Sequence, residues 1–327
     1  NFYTPLNRRP IMNSQPRPVS STSFASFASL ASSSLSVIAV SCALVAPGAA
    51  SATEGGGSIY HVGVENYSCC ALPPPGVYGM VFGEMYSANK VRDNHGNTVT
   101  PSGFKVRANV IAPRVVWVTN ETVMGASLAF HAIFPLVNLK VTPVPGISQS
   151  KTGLGDITFG PALGWHLSDK MHTLLAIDFY APTGNYNKNN IANIGRNYWA
   201  IQPVAGFSYM DKSGINADLK GMYTVNLKNS DTNYRSGQEL IGDYSLGWGF
   251  GNGWVVGAGG YLYQQVTNDK QNGATVPNNK GRTFAIGPSI KYDSGKGWFL
   301  TAKYQMETDV RNRAEGKAFW VKAVVPF

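Results

Sequence analysis

From residue 77 onward the chain repeats one pattern: about ten to fourteen residues of alternating apolar and polar side chains, then a break. Around Trp165, for example, Ile157, Phe159, Pro161, Leu163, Trp165 and Leu167 share one parity, while Asp156, Thr158, Gly160, Ala162, Gly164 and His166 share the other. A two-residue period marks a strand with two unlike faces. Twelve such segments can be read, over residues 77–86, 104–118, 123–135, 153–167, 171–182, 198–210, 215–227, 238–250, 254–266, 283–293, 298–306 and 316–327. Each suits the roughly 9 to 11 residues that a tilted strand needs to cross a bilayer. An even count is what a closed single-chain barrel requires.

The connections carry independent information. Short turns at 119–122, 168–170, 211–214, 251–253 and 294–297 alternate with longer polar loops such as 185–197 and 267–282. Such alternation puts the two ends of the hairpins in different compartments, short turns toward the periplasm and long loops outside. The expected fold is therefore all-β: a transmembrane antiparallel up-and-down β-barrel of about 12 strands with both termini periplasmic. A soluble sandwich has little reason to keep that alternation.

Composition agrees. Charged residues are 14% of the 327, against about 25% in an ordinary soluble domain, and there are 36 glycines. Past residue 53 no run of about 18 apolar residues predicts a membrane helix. Three cysteines exclude a disulfide-built scaffold. The net charge of +9 is scattered among Asn, Gly and Tyr rather than clustered, so no nucleic-acid partner is expected.

The first 52 residues read as an export signal: basic residues, a Ser/Ala-rich stretch, the short apolar run from Leu35 to Val45, and Ala50-Ser51-Ala52 as an A-x-A cleavage site. Met12 is a candidate start, with residues 1–11 then an upstream artefact. Residues 53–76 have no periodicity and would form either a periplasmic tail or a plug entering the lumen. Residues 77–327 would form the barrel.

The polar parity of the strands should face the lumen. It contains Lys105, Arg107, Asp156, His166, His172, Asp178, Gln202, Asn216, Asp218, Lys220, Glu239, Asp243, Lys291, Lys303, Glu307 and Lys322. These groups would either pair with one another or line a solute path. Trp117, Trp165, Tyr209, Trp248, Trp254, Tyr292 and Trp298 lie near the short turns and read as a membrane girdle. Phe319, Val321, Ala323, Val325 and Phe327 alternate to a terminal aromatic and resemble the signal read by the outer-membrane assembly machinery. Pro113, Pro161, Pro203 and Pro288 fall inside strands and are expected to mark bulges, with the apolar parity of the second strand switching across Pro113.

No nucleophile elbow, zinc-protease, CxxC or P-loop motif is present, so no enzyme, cofactor or metal is expected. Cys69 and Cys70 read as buried thiols, with a vicinal disulfide or a pairing with another chain as alternatives.

Leu72-Pro-Pro-Pro-Gly-Val-Tyr78, Thr152-Gly-Leu-Gly-Asp-Ile157, Ala181-Pro-Thr-Gly-Asn-Tyr186, the stretch from Asn229 to Glu239, Gln264-Gln265, Ala285-Ile-Gly-Pro288 and Asn312-Arg313 occur in order. With these motifs the chain resembles the bacterial outer-membrane family named for the meta-cleavage pathway of phenol degradation, over about residues 67–327. The resemblance implies a transporter in the outer membrane of a Gram-negative bacterium, linked to aromatic catabolism. The function expected is a channel for small, apolar or aromatic solutes, with Tyr180, Tyr186, Tyr198, Tyr234 and Tyr263 as candidates for capture at the mouth. A plugged structural or surface-binding barrel and a lipid-acting enzyme are the competing readings. Expected partners are membrane lipid, the assembly machinery and the solute.

Overall fold

The computed structural model describes residues 52–326. Strands form wherever alternation runs long enough. They are β1 Gly76–Val91, β2 Lys105–Val123, β3 Ala126–Ile133, β4 Leu136–Val144, β5 Ile147–Leu154 and β6 Ile157–His166. Then follow β7 Met171–Ala181, β8 Ala200–Met210, β9 Ile215–Asn226, β10 Tyr234–Arg235, β11 Glu239–Gly249 and β12 Trp254–Gln265. The last are β13 Lys270–Gln271, β14 Ala274–Thr275, β15 Arg282–Asp293, β16 Phe299–Arg311 and β17 Ala314–Pro326.

Twelve of these close an antiparallel ring in the order β1, β2, β3, β6, β7, β8, β9, β11, β12, β15, β16, β17, and β17 pairs back onto β1. Closure leaves no edge within the ring, the condition for strands to cross hydrocarbon. The three two-residue strands β10, β13 and β14 form a separate small sheet in the long loops. No helix among the described residues is long and apolar enough to cross a membrane.

Outward positions carry the apolar residues. Leu219, Leu246 and Leu262 are 58%, 60% and 54% exposed, whereas the alternate positions Lys220, Ser245 and Tyr261 are buried. In water such a surface would be unstable. Against lipid it is the required one.

Several strands run longer than the sequence suggests. The region expected to be the loop after the third strand is the hairpin β4–β5, which continues β3 and β6 beyond the ring and packs on β2. At the other end, the expected turn at 119–122 is strand: a register shift between Val118 and Thr122 moves the reversal to Met124 and Gly125, whose φ values are 54° and 76°. Positive φ at both central residues is what a tight hairpin turn matching strand twist demands.

The four strand prolines are not bulges. Pairing stops for two residues at Pro113 toward β3 and β4, at Pro161 toward β7, at Pro203 toward β9 and at Pro288 toward β16, and resumes in the same register each time. A proline removes one donor but inserts no residue, so the ladder skips and no side chain changes face. The parity of β2 accordingly does not switch at Pro113: its even positions face inward from Val106 to Val118, and its odd positions face outward. Lys105 and Arg107 are therefore exposed on the outer wall, not in the lumen. The sequence misleads here because the inward face near the long loops is itself apolar, so alternation alone assigns the wrong side.

The described ends of the chain lie at opposite mouths. Pro326 pairs with Tyr78 near the short turns. The Ala52 amide donates to the Asn312 carbonyl at 2.7 Å, in the turn between β16 and β17 at the other mouth. Phe327 and the signal sequence before Ala52 lie outside the described residues.

Candidate functional site

Residues 52–75 run through the lumen from the long-loop mouth to the short-turn mouth. They have no periodicity because the wall holds them mainly through scattered single side chains. Near the top, Arg196 donates to the carbonyls of Glu54 and Ser58, both at 3.2 Å, and the Ser58 hydroxyl donates to Glu239 at 2.7 Å. At mid-depth one carboxylate, Asp243, accepts from the Tyr60 hydroxyl at 2.6 Å, the Gly63 amide at 2.9 Å and the Glu65 amide at 3.0 Å. Lower down, the amides of Cys69 and Cys70 donate to Asp218 and Ser208, at 3.0 and 3.1 Å, and Ser208 in turn donates to Asp218.

Glu65 is the electrostatic centre of this seam. Its carboxylate lies 3.1 Å from Arg114, 3.2 Å from Lys322 and 3.9 Å from Lys220. Lys303 donates to the Glu65 carbonyl at 2.6 Å, Lys322 to the Tyr67 carbonyl at 3.1 Å, and Lys291 to the Ser68 hydroxyl at 2.8 Å. Glu65, Lys303 and Lys322 are almost fully buried. Buried charges persist only when paired and hydrogen-bonded, and these are.

The segment leans to one side. Its ionic partners stand mainly on β9, β15, β16 and β17, with Arg114 of β2, whereas toward the long-loop mouth the inward faces of β1, β2 and β4 are largely apolar. Between that apolar wall and the segment lies a mouth cavity of about 780 Å³, lined by Ile59, Tyr86, Phe104, Val106, Ala108, Leu139 and Ile194 among others. Beneath it a pocket of about 60 Å³ is bounded by Phe82, Val110, Ala112, Ile133 and Trp320 together with Arg114, His131, Asp178 and Lys220. The two spaces share Ile59, Tyr60, His61 and Asp156. A third space of about 20 Å³, beside Cys69 and Leu72, continues toward the short turns. His61 lies 3.3 Å from Glu84 of β1 and ties the segment to the apolar wall at the narrowing.

The inner pocket has an unusual polar complement. His131 Nε2 is 2.9 Å from Asp178, but His131 Nδ1, Arg114 Nε and Trp320 Nε1 are buried without a hydrogen-bond partner. Neither Arg114 nor Trp320 stands out in the sequence. Their inward parity was legible, but their convergence on one pocket needed the strand register.

Of the remaining lumen candidates, Gln202 bonds Tyr180 and Thr224, and Asn216 holds carbonyls of the 211–214 turn. Glu307 accepts from Tyr86 and Tyr261, Asp156 accepts the amides of Gly184 and Arg196, and His166 meets His172 at 2.7 Å near the short turns. All these groups face inward or sit at a mouth; none of them shares the outward placement of Lys105 and Arg107. The seven short-turn aromatics lie on the outer face, with Trp254 and Tyr292 at 4.7 Å between ring centroids. Phe319, Val321, Ala323 and Val325 also face outward.

The mouth tyrosines are committed to structure. Tyr186 bonds Glu54, Tyr198 bonds Ser236, Tyr234 bonds Asp269 and Tyr263 bonds Glu239. Burial raises the Tyr198 phenol well above its usual range, so it stays neutral. Cys69 and Cys70 are free thiols. Among the described residues no three His, Cys, Asp or Glu groups are placed to hold a metal.

Among solved structures, the chain is similar to an outer membrane channel from Pseudomonas putida F1, with a TM-score of 0.71 at 19% identity over 80% of this chain and 98% of that one. It also resembles the translocator domain of the autotransporter NalP from Neisseria meningitidis, with a TM-score of 0.47 at 10% identity over 79% and 91% of the two chains. Comparison with curated proteins found no match. Residues 88–323, most of the barrel, match a family described as "Putative MetA-pathway of phenol degradation", and the chain belongs to that family.

Proposed function

We propose that this barrel is an outer-membrane channel that admits small aromatic compounds bearing one polar group, along the apolar side of the luminal segment. The observation that carries the reading is the graded space beside that segment. A cavity of about 150 Å³ suffices for benzene; the mouth cavity of about 780 Å³ exceeds that and the inner pocket of about 60 Å³ does not. A ring therefore binds at the mouth and proceeds only when residues 59–64 shift. The inner pocket then offers Arg114 Nε–H and Trp320 Nε1–H to a hydroxyl oxygen, while His131 Nδ1 accepts its proton if Nε2–H is directed to Asp178. A family description that names phenol degradation supports this solute class.

The apolar belt and the outward C-terminal strand support residence in the outer membrane of a Gram-negative bacterium, insertion by the assembly machinery, and long loops facing outside. The paired charges along the segment favour a second reading, a closed barrel without transport. Uptake of labelled phenol and toluene into proteoliposomes separates the two. Uptake of both above empty vesicles is expected, with Trp320→Phe lowering phenol uptake relative to toluene by about 2- to 10-fold, the worth of one hydrogen bond. A folded, inserted barrel with no uptake would leave the closed reading standing.

A further inference from the structure

The two cations that alternation assigned to the wrong face stand in a cluster on the outer wall. Lys317, Ser87, Arg107, Lys140 and Ser150 occupy one register row across β17, β1, β2, β4 and β5. Lys105 stands two residues further along β2 on the same face, and all four cations are exposed. Arg107 is paired directly with Lys140, an arrangement of like charges that destabilises a sheet unless an anion lies between them. The acidic neighbour on this face, Glu315, is already taken by Lys90 at 3.2 Å and Arg92 at 2.5 Å. Among the described residues, Lys105, Arg107, Lys140 and Lys317 form no ion pair.

The row sits at a telling height. Trp117 of the short-turn aromatics lies on the same face of the same strand, and the ten residues separating it from Arg107 span about 33 Å along the strand. At a tilt near 40° that is about 25 Å across the membrane, the height of a barrel's apolar band. The cations therefore lie where hydrocarbon gives way to headgroups on the long-loop side. Immediately below them the outer wall is indented by an apolar groove of about 560 Å³, lined by Met85, Ile111, Leu136, Phe319 and Val321. Gly83 opens its floor, for a Cβ there would meet no atom within 4 Å.

We propose that this wall binds a phosphorylated, multiply acylated glycolipid of the lipid A type, its phosphate on Lys105, Arg107, Lys140 and Lys317 and an acyl chain in the groove. Arg107 supplies the planar fork that grips phosphate, and the lysines supply mobile charge. A zwitterionic headgroup would leave the like-charged pair unrelieved, and a free phosphate would leave the groove unused. The proposal rests on the outer-membrane placement proposed above.

Retention of diphosphorylated lipid A by the purified, detergent-solubilised barrel tests it, with dephosphorylated lipid A, phosphatidylethanolamine and millimolar inorganic phosphate as the other arms. Lipid A is expected to be retained at least tenfold over its dephosphorylated form, with inorganic phosphate failing to displace it. The combined variant Lys105→Gln, Arg107→Gln, Lys140→Gln, Lys317→Gln should lose that preference. Gly83→Leu should weaken retention several-fold while keeping the preference for phosphate. Equal retention of both lipid A forms, or an unchanged quadruple variant, would overturn the proposal, as would displacement by inorganic phosphate alone. Heat-modifiable migration and membrane insertion, measured on the same samples, report separately whether the barrel is in place.

Discussion

The inward faces of β9 and β11, with those of β15 to β17, hold Asp218, Lys220, Asp243, Lys291, Lys303 and Lys322, whereas toward the long-loop mouth β1, β2 and β4 present Phe82, Val106, Ala108, Val110, Val137 and Leu139. Both faces come from strands with the same alternation, and all of these strands except β4 belong to one closed ring. One face fixes the luminal segment by charge and hydrogen bond. The other leaves room beside it. A barrel can thus be filled and still keep a path, because a polar chain adheres where partners are many and stands off from a wall that offers only Glu84 and Arg114.

That contrast can be broken at three points. Deleting residues 53–75 removes the occupant altogether, and single-channel conductance should rise more than tenfold in a barrel that still folds; unchanged conductance would mean that the segment does not obstruct the lumen. Next in size is Glu65→Gln. It leaves Arg114, Lys220 and Lys322 buried without their carboxylate, a loss of about 3–5 kcal/mol for breaking a buried pair. The segment should then become open to protease in the intact barrel, and protection equal to wild type would show that its seat does not depend on this charge.

The smallest effect belongs to the apolar side. Ala108→Trp projects into the mouth cavity and should reduce aromatic uptake by about fivefold, roughly 1 kcal/mol, with ion conductance unaltered. A parallel fall in both would mean that solute and ions share one route and that the two walls are not functionally distinct.

Much of the barrel is legible in the sequence. The count of twelve strands, the outward aromatics near the short turns and the inward parity of Asp178, Asp218, Lys220, Asp243, Lys303 and Lys322 all follow from a two-residue period. What failed was the face of Lys105 and Arg107 and the bulges at four prolines. The two errors have separate causes: alternation distinguishes two faces but does not say which is wet, and at the apolar mouth of this lumen the usual assignment is inverted, whereas each proline removes a donor without inserting a residue, so the ladder skips and keeps its register. Neither the mouth cavity nor the trio Arg114, His131 and Trp320 could be found this way, because their members come from β2, β3 and β17, more than two hundred residues apart at the extremes.

The sequence by itself determined a closed antiparallel barrel, since period-2 segments of membrane-spanning length have no other way to satisfy their backbones in hydrocarbon. Only the tertiary structure decided where residues 52–75 lie and which wall they grip. Several of their amides and carbonyls are satisfied by single side chains such as Asp243 and Lys322, and such contacts leave no periodic trace along the chain.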